Sequence, residues 1–323
     1  MVRVSSFGQQ QLLIEAIQQN QSRVFDAQRQ IATGRETDEY RGLAGETATV
    51  LGSSSFLSRI ESYQGTIDTI SGRLDANDVQ VSTIIEALEN VQDNIRIGLA
   101  NGQVEGLPEQ IQSSFQLIVN AVNTNIDGTF LFSGSRTGTA PIIDGINTIE
   151  DLQAQVDPNS DGTLENPIDT VFQNTSVAFQ ARIADGVDLE FGILADDVVG
   201  NAFAQLQEIW AYHEGIDPAS TGPLRGQIDD TQFAFLQNQV TALETVITEI
   251  RQIEVANGLA FERLDVVDQQ HKDTAVFLET FIAEMQDVDI AEAVTRLNND
   301  NVALEASFRS ISSLNNLSLL NFL

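Results

Sequence analysis

Apolar residues recur in this sequence at alternating steps of three and four, and this heptad spacing restricts the folds open to the chain. The longest series is Ile60, Tyr63, Ile67, Ile70, Leu74, Asn77, Val81, Ile84, Leu88, Val91 and Ile95. Only Asn77 in it is clearly polar. Heptad spacing places an apolar stripe along one side of an α-helix, and that stripe is buried against partner helices. The sequence therefore predicts a long packed helix over residues 54–98.

The same spacing recurs near both ends of the chain. The first series is Leu13, Ile17, Asn20, Val24, Ala27 and Ile31, and the last is Ile290, Val294, Leu297, Asn301, Leu304, Phe308, Ile311 and Asn315. A third, less regular series begins with Leu236, Val240, Leu243, Ile247 and Ile250. Thr33-Gly34 is a helix-stop signal, and Pro108 suits the first turn of a shorter helix over residues 108–125. We expect helices from both ends of the chain to share one coiled-coil bundle.

The middle of the chain follows a different pattern. Between about residues 127 and 197 the helical period disappears, and Gly, Pro, Asp and Asn accumulate. Two runs of alternating apolar residues, 177–183 and 187–193, flank Asp185-Gly186, which predicts a β-hairpin. The predicted fold class is therefore mainly α with a β-rich insert (α+β), in which a long helical bundle from both termini carries a central outer β domain.

This pattern predicts three parts. Residues 1–45 plus 270–323 form a terminal coiled-coil assembly domain, residues 46–130 plus 200–269 form a helical rod domain, and residues 131–199 form the β-rich outer insert.

The last residues of the chain, NNLSLLNFL, are unusually apolar for a terminus. Burying five large apolar side chains contributes on the order of 10 kcal/mol, and ordering nine residues costs a comparable amount. The tail and the terminal helices therefore need a neighbouring surface to become stable, and we predict that they fold on assembly. The alternative is that the tail packs into the protein's own helical bundle. The predicted assembly residues are Leu13, Ile17, Val24, Ile31, Ile290, Val294, Leu297, Leu304, Phe308, Ile311, Leu317, Leu319, Leu320, Phe322 and Leu323.

Composition excludes several functional classes. The formal net charge is −31, and Lys272 is the only lysine, which argues against binding to nucleic acid or to an anionic membrane. The absence of cysteine excludes disulfides and thiolate chemistry. No apolar run is long enough for a membrane span, and the N-terminus lacks the features of a cleaved signal peptide. We find no nucleotide-binding or HExxH motif, and we predict neither enzymatic activity nor a cofactor.

One stretch, DPNSDGTLE, has the spacing of a calcium loop. Asp157, Asn159, Asp161 and Glu165 occupy positions one, three, five and nine of such a loop, with a glycine at position six. Position twelve, where a bidentate Glu is expected, is Ile168. The stretch is therefore a calcium candidate, with a plain Asx-type turn as the favoured alternative.

Three segments resemble a known family. RQIATGRETDEYRGL contains a helix end, a Thr-Gly-Arg break and a loop, and NTNIDGTFLFSGSRT resembles a passage out of a helical domain. DVDIAEAVTRLNNDNVALEASFRSISSLNNLSLLNFL contains an AEA…L…ALEAS core followed by LSLLNFL. Over residues 1–135 and 230–323 the chain resembles the bacterial flagellin superfamily, and it is most similar to the hook-associated protein 3 branch. Where many relatives have an Asp-Asp-Pro type loop after the Gly34 break, this chain has EYRGLAGE.

The resemblance implies a structural component of the bacterial flagellum at the hook–filament junction. It implies self-association into a ring or tube, contact with other hook-associated proteins and flagellin, and a type III export chaperone. It also implies an extracellular location reached without a cleaved signal. A filament flagellin is the alternative, and a non-flagellar coiled-coil adaptor or adhesin-like binding protein is a more remote one.

Overall fold

The computed structural model describes residues 2–37, 45, 47–162 and 164–320, and these residues are mainly helical. The helices are α1 (Val2–Thr33), α2 (Thr47–Asn101), α3 (Leu107–Val122), α4 (Ile149–Val156), α5 (Ala195–Glu214), α6 (Asp230–Gln286) and α7 (Ile290–Leu320), with a 3₁₀ turn at Ile168–Val171. The strands are β1 (Gln103–Val104), β2 (Asn125–Ile126), β3 (Thr129–Phe130), β4 (Gln180–Ala184), β5 (Val187–Glu190) and β6 (Gly226–Gln227). They pair antiparallel as β1–β6, β2–β3 and β4–β5.

The chain forms two compact units. The terminal unit comprises Met1–Ile60 with Lys272–Leu323, and the central unit comprises Glu61–His271. The three-part division predicted from the sequence has different boundaries and stays a prediction.

Helices α1 and α7 pair with each other in the terminal unit. The Asn20 amide donates to the Ser307 hydroxyl at 3.2 Å, and the Arg296 guanidinium donates to the Gln30 side chain at 3.3 Å. The partner's number falls as the number along α1 rises, so the two helices run antiparallel. Ala27, only 4% exposed, lies on the inward face of α1 and lets the helices approach closely.

Specific turn residues end α1 and start α7. Helix α1 ends at Thr33, as the sequence predicts, and Gly34 follows with a φ of 72°, a conformation that favours glycine. The carbonyl of Gly34 accepts the Val288 N–H at 3.0 Å. The Asp289 carboxylate then accepts the Ala291 N–H at 2.8 Å and caps the start of α7.

The central unit buries the long heptad seam of α2. The predicted seam residues Ile67, Ile70, Leu74, Asn77, Val81, Ile84, Leu88, Val91 and Ile95 are each at most 3% exposed. The predicted helix over 54–98 is thus confirmed, and its stripe packs into a core shared with α6 and α3. Phe115 of α3 and Phe203 of α5 extend that core, with ring centroids 4.8 Å apart. The predicted helix 108–125 is confirmed as α3, with Pro108 in its first turn.

Strands β4 and β5 form the predicted hairpin. Their register pairs Gln180 with Glu190, and Ile183 and Leu189 are buried against α2 and α6. Just after β5 the chain passes very close to the residue before β4. A Cβ built on Gly192 would overlap the backbone nitrogen of Phe179, so only glycine fits there.

The rest of the insert is not a β domain. Within the described part of residues 131–199, the β4–β5 hairpin is accompanied by α4, a 3₁₀ turn, the start of α5 and irregular chain. Turn residues at high density predicted strands here, whereas the chain uses them for loops around short helices. A mainly helical architecture is thus confirmed, and a central β-rich domain is not.

Candidate assembly surface

The apolar residues predicted for assembly divide into two groups according to their burial. On α1, Leu13, Ile17, Val24 and Ile31 are all half-buried. On α7, Leu297, Leu304 and Ile311 are half-buried, whereas Ile290, Val294 and Phe308 are 53%, 40% and 49% exposed. The half-buried residues therefore belong to the α1–α7 pair, and the three exposed residues of α7 border them on the same side of the helix.

Helix geometry places the exposed residues at the edge of the paired face of α7, because Leu297 lies only about 20° around the helix from Ile290. Ile290 and Phe308 lie eighteen residues apart, which is five turns, so their side chains leave the helix on the same side. Val294 lies one turn along from Ile290, about 40° around the helix. Helix α1 leaves this edge partly uncovered, so the three side chains are available to a neighbouring surface.

Further exposed apolar residues on the terminal helices escaped the sequence analysis. Leu12, Phe25 and Val302 are 67%, 63% and 68% exposed. Leu12 and Phe25 directly precede or follow the predicted seam residues Leu13 and Val24, so the heptad series passed over them. Their position next to seam residues could have identified them. An apolar residue beside a seam position widens the apolar stripe beyond what one partner helix can cover.

The terminal unit and the central unit differ strongly in net charge. Residues 1–60 and 272–323 contain nine basic and 14 acidic residues, a net charge of −5. Residues 61–271 contain seven basic and 33 acidic residues, a net charge of −26. Like charges repel when copies are placed side by side, so a near-neutral unit suits close packing between copies.

Part of the predicted surface lies outside the described residues. The backbone of Leu317, Leu319 and Leu320 belongs to α7, but the placement of their side chains is not described. Phe322 and Leu323 lie outside the described residues altogether, and so does the loop EYRGLAGE except for Gly45. The assembly role of these residues stays a prediction.

The calcium candidates lie together at the C-terminal end of α4. Carboxylate oxygens of Asp157, Asp161 and Glu165 lie within 4.8 Å of one another. The buried Asp157 carboxylate accepts the backbone N–H of Asp161 at 3.3 Å and of Gly162 at 3.1 Å, and the Asn159 amide donates to Glu165 at 2.7 Å. The Asp157 carboxylate thus holds this loop by bonds to backbone N–H groups four and five residues further on, and both the Asx-type turn and the calcium site stay predictions.

The histidines of the central unit serve packing. His213, 6% exposed at the end of α5, accepts the Leu224 N–H on Nδ1 at 3.0 Å. Burial lowers the pKa of His213, with a smaller opposing effect from the Glu214 carboxylate. The His271 ring stacks on Tyr63 with centroids 5.6 Å apart, and Nε2 lies 2.7 Å from a backbone carbonyl oxygen of β4.

Comparison with known proteins finds that the chain is similar to flagellar proteins. The family described as bacterial flagellin C-terminal helical region matches residues 230–323. Flagellar hook-associated protein 3 of Escherichia coli (strain K12) is 23% identical over 249 residues, which are 74% of this chain and 74% of that protein. Within the described residues, none of the helices has the length and apolar character needed to cross a lipid bilayer.

Solved structures share the fold. A flagellar hook-associated protein from Vibrio parahaemolyticus superposes with a TM-score of 0.56 at 16% identity, over 75% of this chain and 97% of that one. FlgL from Xanthomonas campestris gives a TM-score of 0.53 at 9% identity, over 72% of this chain and 99% of that one. Residues 230–323 thus match the bacterial flagellin C-terminal helical region, and over 74% of its length the chain is similar to flagellar hook-associated protein 3.

Proposed function

We propose that this protein is a structural component of the bacterial flagellum at the hook–filament junction, where its subunits assemble by packing terminal helices against neighbours. The observation that carries the proposal is the terminal unit, whose two long paired helices leave large apolar side chains exposed. Phe25, Val302 and Phe308 alone are 63%, 68% and 49% exposed. Exposed apolar surface on this scale is stabilised when another copy or component covers it.

The charge distribution supports the same arrangement. The near-neutral terminal unit packs densely in a ring or tube, and the central unit with net charge −26 faces solvent, where its charge keeps the assembly soluble. The three predicted parts fit this layout: residues 1–45 plus 270–323 form the inner assembly region, residues 46–130 plus 200–269 the rod, and residues 131–199 the outer insert.

The family relationship suggests the partners. One face of the ring meets other hook-associated proteins and the other meets flagellin, and a type III export chaperone covers the apolar termini before export. Such a protein acts outside the cell, in the flagellum, and its function depends on packing rather than on catalysis.

Deletion and complementation test the proposal. Deleting the gene in the source bacterium should leave hooks without filaments in electron micrographs, and the parent gene should restore them. Hooks that still carry filaments of normal number and length after the deletion would refute a junction role.

A filament flagellin is the second candidate, because the match over residues 230–323 is to the flagellin family. Purified protein added to hook or filament seeds separates the two functions. A flagellin extends the seeds into long filaments, whereas a junction protein adds a short segment and stops.

A further inference from the structure

The arginines of the central unit pair mainly with carboxylates of their own subunit. Residues 61–271 contain 33 acidic residues and seven arginines. Four of the seven form ion pairs within the described residues, and these are Arg96–Glu244 at 3.1 Å, Arg182–Asp188 at 3.0 Å, Arg225–Glu109 at 3.2 Å and Arg251–Glu89 at 2.5 Å. Most carboxylates of this unit therefore keep a charge that no arginine of the same subunit neutralises.

A fifth arginine is also bonded within the subunit. The Arg73 guanidinium donates to the Thr129 hydroxyl at 3.2 Å and to the backbone carbonyl of Phe130 at 3.0 Å. It also lies over the ring of Phe179, 4.0 Å from the centroid. Five of the seven arginines thus act inside their own subunit, so the central unit of another copy offers few cations to the acidic surface.

Four exposed carboxylates form a row along α2. Glu61, Asp68, Asp75 and Glu86 follow one another at steps of seven, seven and eleven residues. At about 100° per residue, these steps keep the four side chains within about 40° of one another around the helix. The row faces away from the core, because each of its last three members is followed two residues later, about 160° around the helix, by a buried seam residue: Ile70, Asn77 and Leu88.

The spacing of these charges determines how strongly salt acts on them. Neighbours in the row lie about 10–17 Å apart along the helix axis. Helices that pack side by side are about 8–10 Å apart, so charges on adjacent copies come within a similar distance. The Debye length is about 30 Å at 0.01 M ionic strength, about 8 Å at 0.15 M and about 3 Å at 1 M. Repulsion between copies is therefore nearly unscreened in dilute salt and largely screened at 1 M.

We propose that assembly of this chain depends on high ionic strength. In dilute salt the central units, each with a net charge of −26, hold neighbouring copies apart, and the copies pack side by side only where concentrated ions screen the carboxylates. The sequence and its charge distribution thus suit a saline medium. The inference rests on the proposed function and deepens it, since it adds the condition under which the terminal units associate.

Binding to isolated hooks tests this dependence. Purified full-length protein is mixed with hooks from the deletion strain in sodium chloride between 0.01 M and 1 M, and the bound fraction is measured by co-sedimentation. We expect binding to be at least about tenfold tighter at 1 M than at 0.15 M, because the Debye length falls below the distance between the charges. Circular dichroism at each salt concentration verifies that the subunit is folded.

Each outcome of this titration has a distinct meaning. Binding that is equally tight at all salt concentrations would overturn the salt dependence and leave the proposed function intact. Absence of binding at every salt concentration would refute the proposed function and this inference together. Unfolding of the subunit in dilute salt would also overturn the inference, because the loss of binding would then come from folding and not from repulsion between copies.

Two variants of the α2 row show whether charge is the cause. Glu61→Gln/Asp68→Asn/Asp75→Asn/Glu86→Gln removes four negative charges and should reach the affinity of the parent at about half the salt concentration, because repulsion scales with the product of the two charges. Glu61→Asp/Asp68→Glu/Asp75→Glu/Glu86→Asp changes the same positions but keeps the charge, and it should follow the salt dependence of the parent. The inference is overturned if the neutral variant shows no shift, or if both variants shift equally.

Discussion

Replacing exposed apolar residues of α1 should abolish assembly while leaving the isolated subunit stable. The double variant Leu12→Ser/Phe25→Ser changes two side chains that are 67% and 63% exposed. Full burial of such a side chain contributes about 1.5–3 kcal/mol, so covering the exposed two-thirds contributes about 1–2 kcal/mol each. Because the two side chains leave α1 on different sides, this sum of about 3 kcal/mol counts all contacts of one subunit, and it corresponds to an association constant more than about 100-fold higher.

Adjacent positions provide the matched control. Leu13 and Val24 neighbour the two mutated residues but are half-buried on the face that meets α7. Leu13→Ser/Val24→Ser should lower the free energy of unfolding of the isolated subunit by about 2 kcal/mol or more, because it removes contacts within the α1–α7 pair.

The assay combines electron microscopy of a complemented deletion strain with thermal denaturation of the purified variants. Leu12→Ser/Phe25→Ser should give hooks without filaments and a melting temperature within about 2 °C of the parent, as expected for exposed substitutions. The reasoning is refuted if this variant restores filaments as well as the parent does, or if its subunit melts as early as the Leu13→Ser/Val24→Ser control.

Three further predictions concern the central unit. Gly192→Ala should destabilise the protein by about 2 kcal/mol or more in denaturant titration, because the added Cβ overlaps the backbone of Phe179. Gly65→Ala has open space around it in α2 and should stabilise the protein by about 0.5–1 kcal/mol. Equal effects of the two substitutions would contradict the close approach at Gly192. Burial lowers the pKa of His213 below 6.5, so at mildly acidic pH the folded state binds fewer protons than the unfolded state. The stability that the neutral His213 contributes is therefore fully present above pH 6.5, and it is lost as the pH falls towards the folded-state pKa. His213→Asn, which keeps an acceptor for the Leu224 N–H but does not titrate, should flatten this part of the curve of unfolding free energy against pH, and an unchanged slope would exclude His213 as its source. Asp157→Ala should lower the free energy of unfolding by about 1–3 kcal/mol, because its two bonds to backbone N–H groups are lost. Millimolar calcium should not shift the melting temperature of the parent protein. A shift that this substitution abolishes would establish a calcium site.

The helical elements were largely predictable because heptad spacing is a local and repetitive signal. The α2 seam from Ile67 to Ile95 is buried as the spacing predicts, and α1 ends at Thr33-Gly34 where the stop signal lies. The β4–β5 hairpin was equally predictable, because Asp-Gly is a preferred sequence for a two-residue hairpin turn and here it lies between two alternating apolar runs. Turn residues elsewhere in the insert were ambiguous, since loops around α4 use the same residues as strand connections.

The candidate surface was predictable only in part. A heptad series identifies apolar residues but not which of several neighbours covers each of them. Leu297 and Phe308 belong to the same series, yet Leu297 is half-buried and Phe308 is 49% exposed. Val302, outside the series, is more exposed than either, and it was missed because its spacing matches no seam.

The sequence alone determined the mainly helical class, the long heptad helices, the hairpin and the excess of acidic charge, since each depends on residues close together in the chain or on composition. The tertiary structure decided which apolar residues remain uncovered and that 33 of the 47 acidic residues belong to the central unit. Burial and charge separation depend on contacts between distant segments, such as Asn20 with Ser307, and spacing along the chain does not specify those contacts.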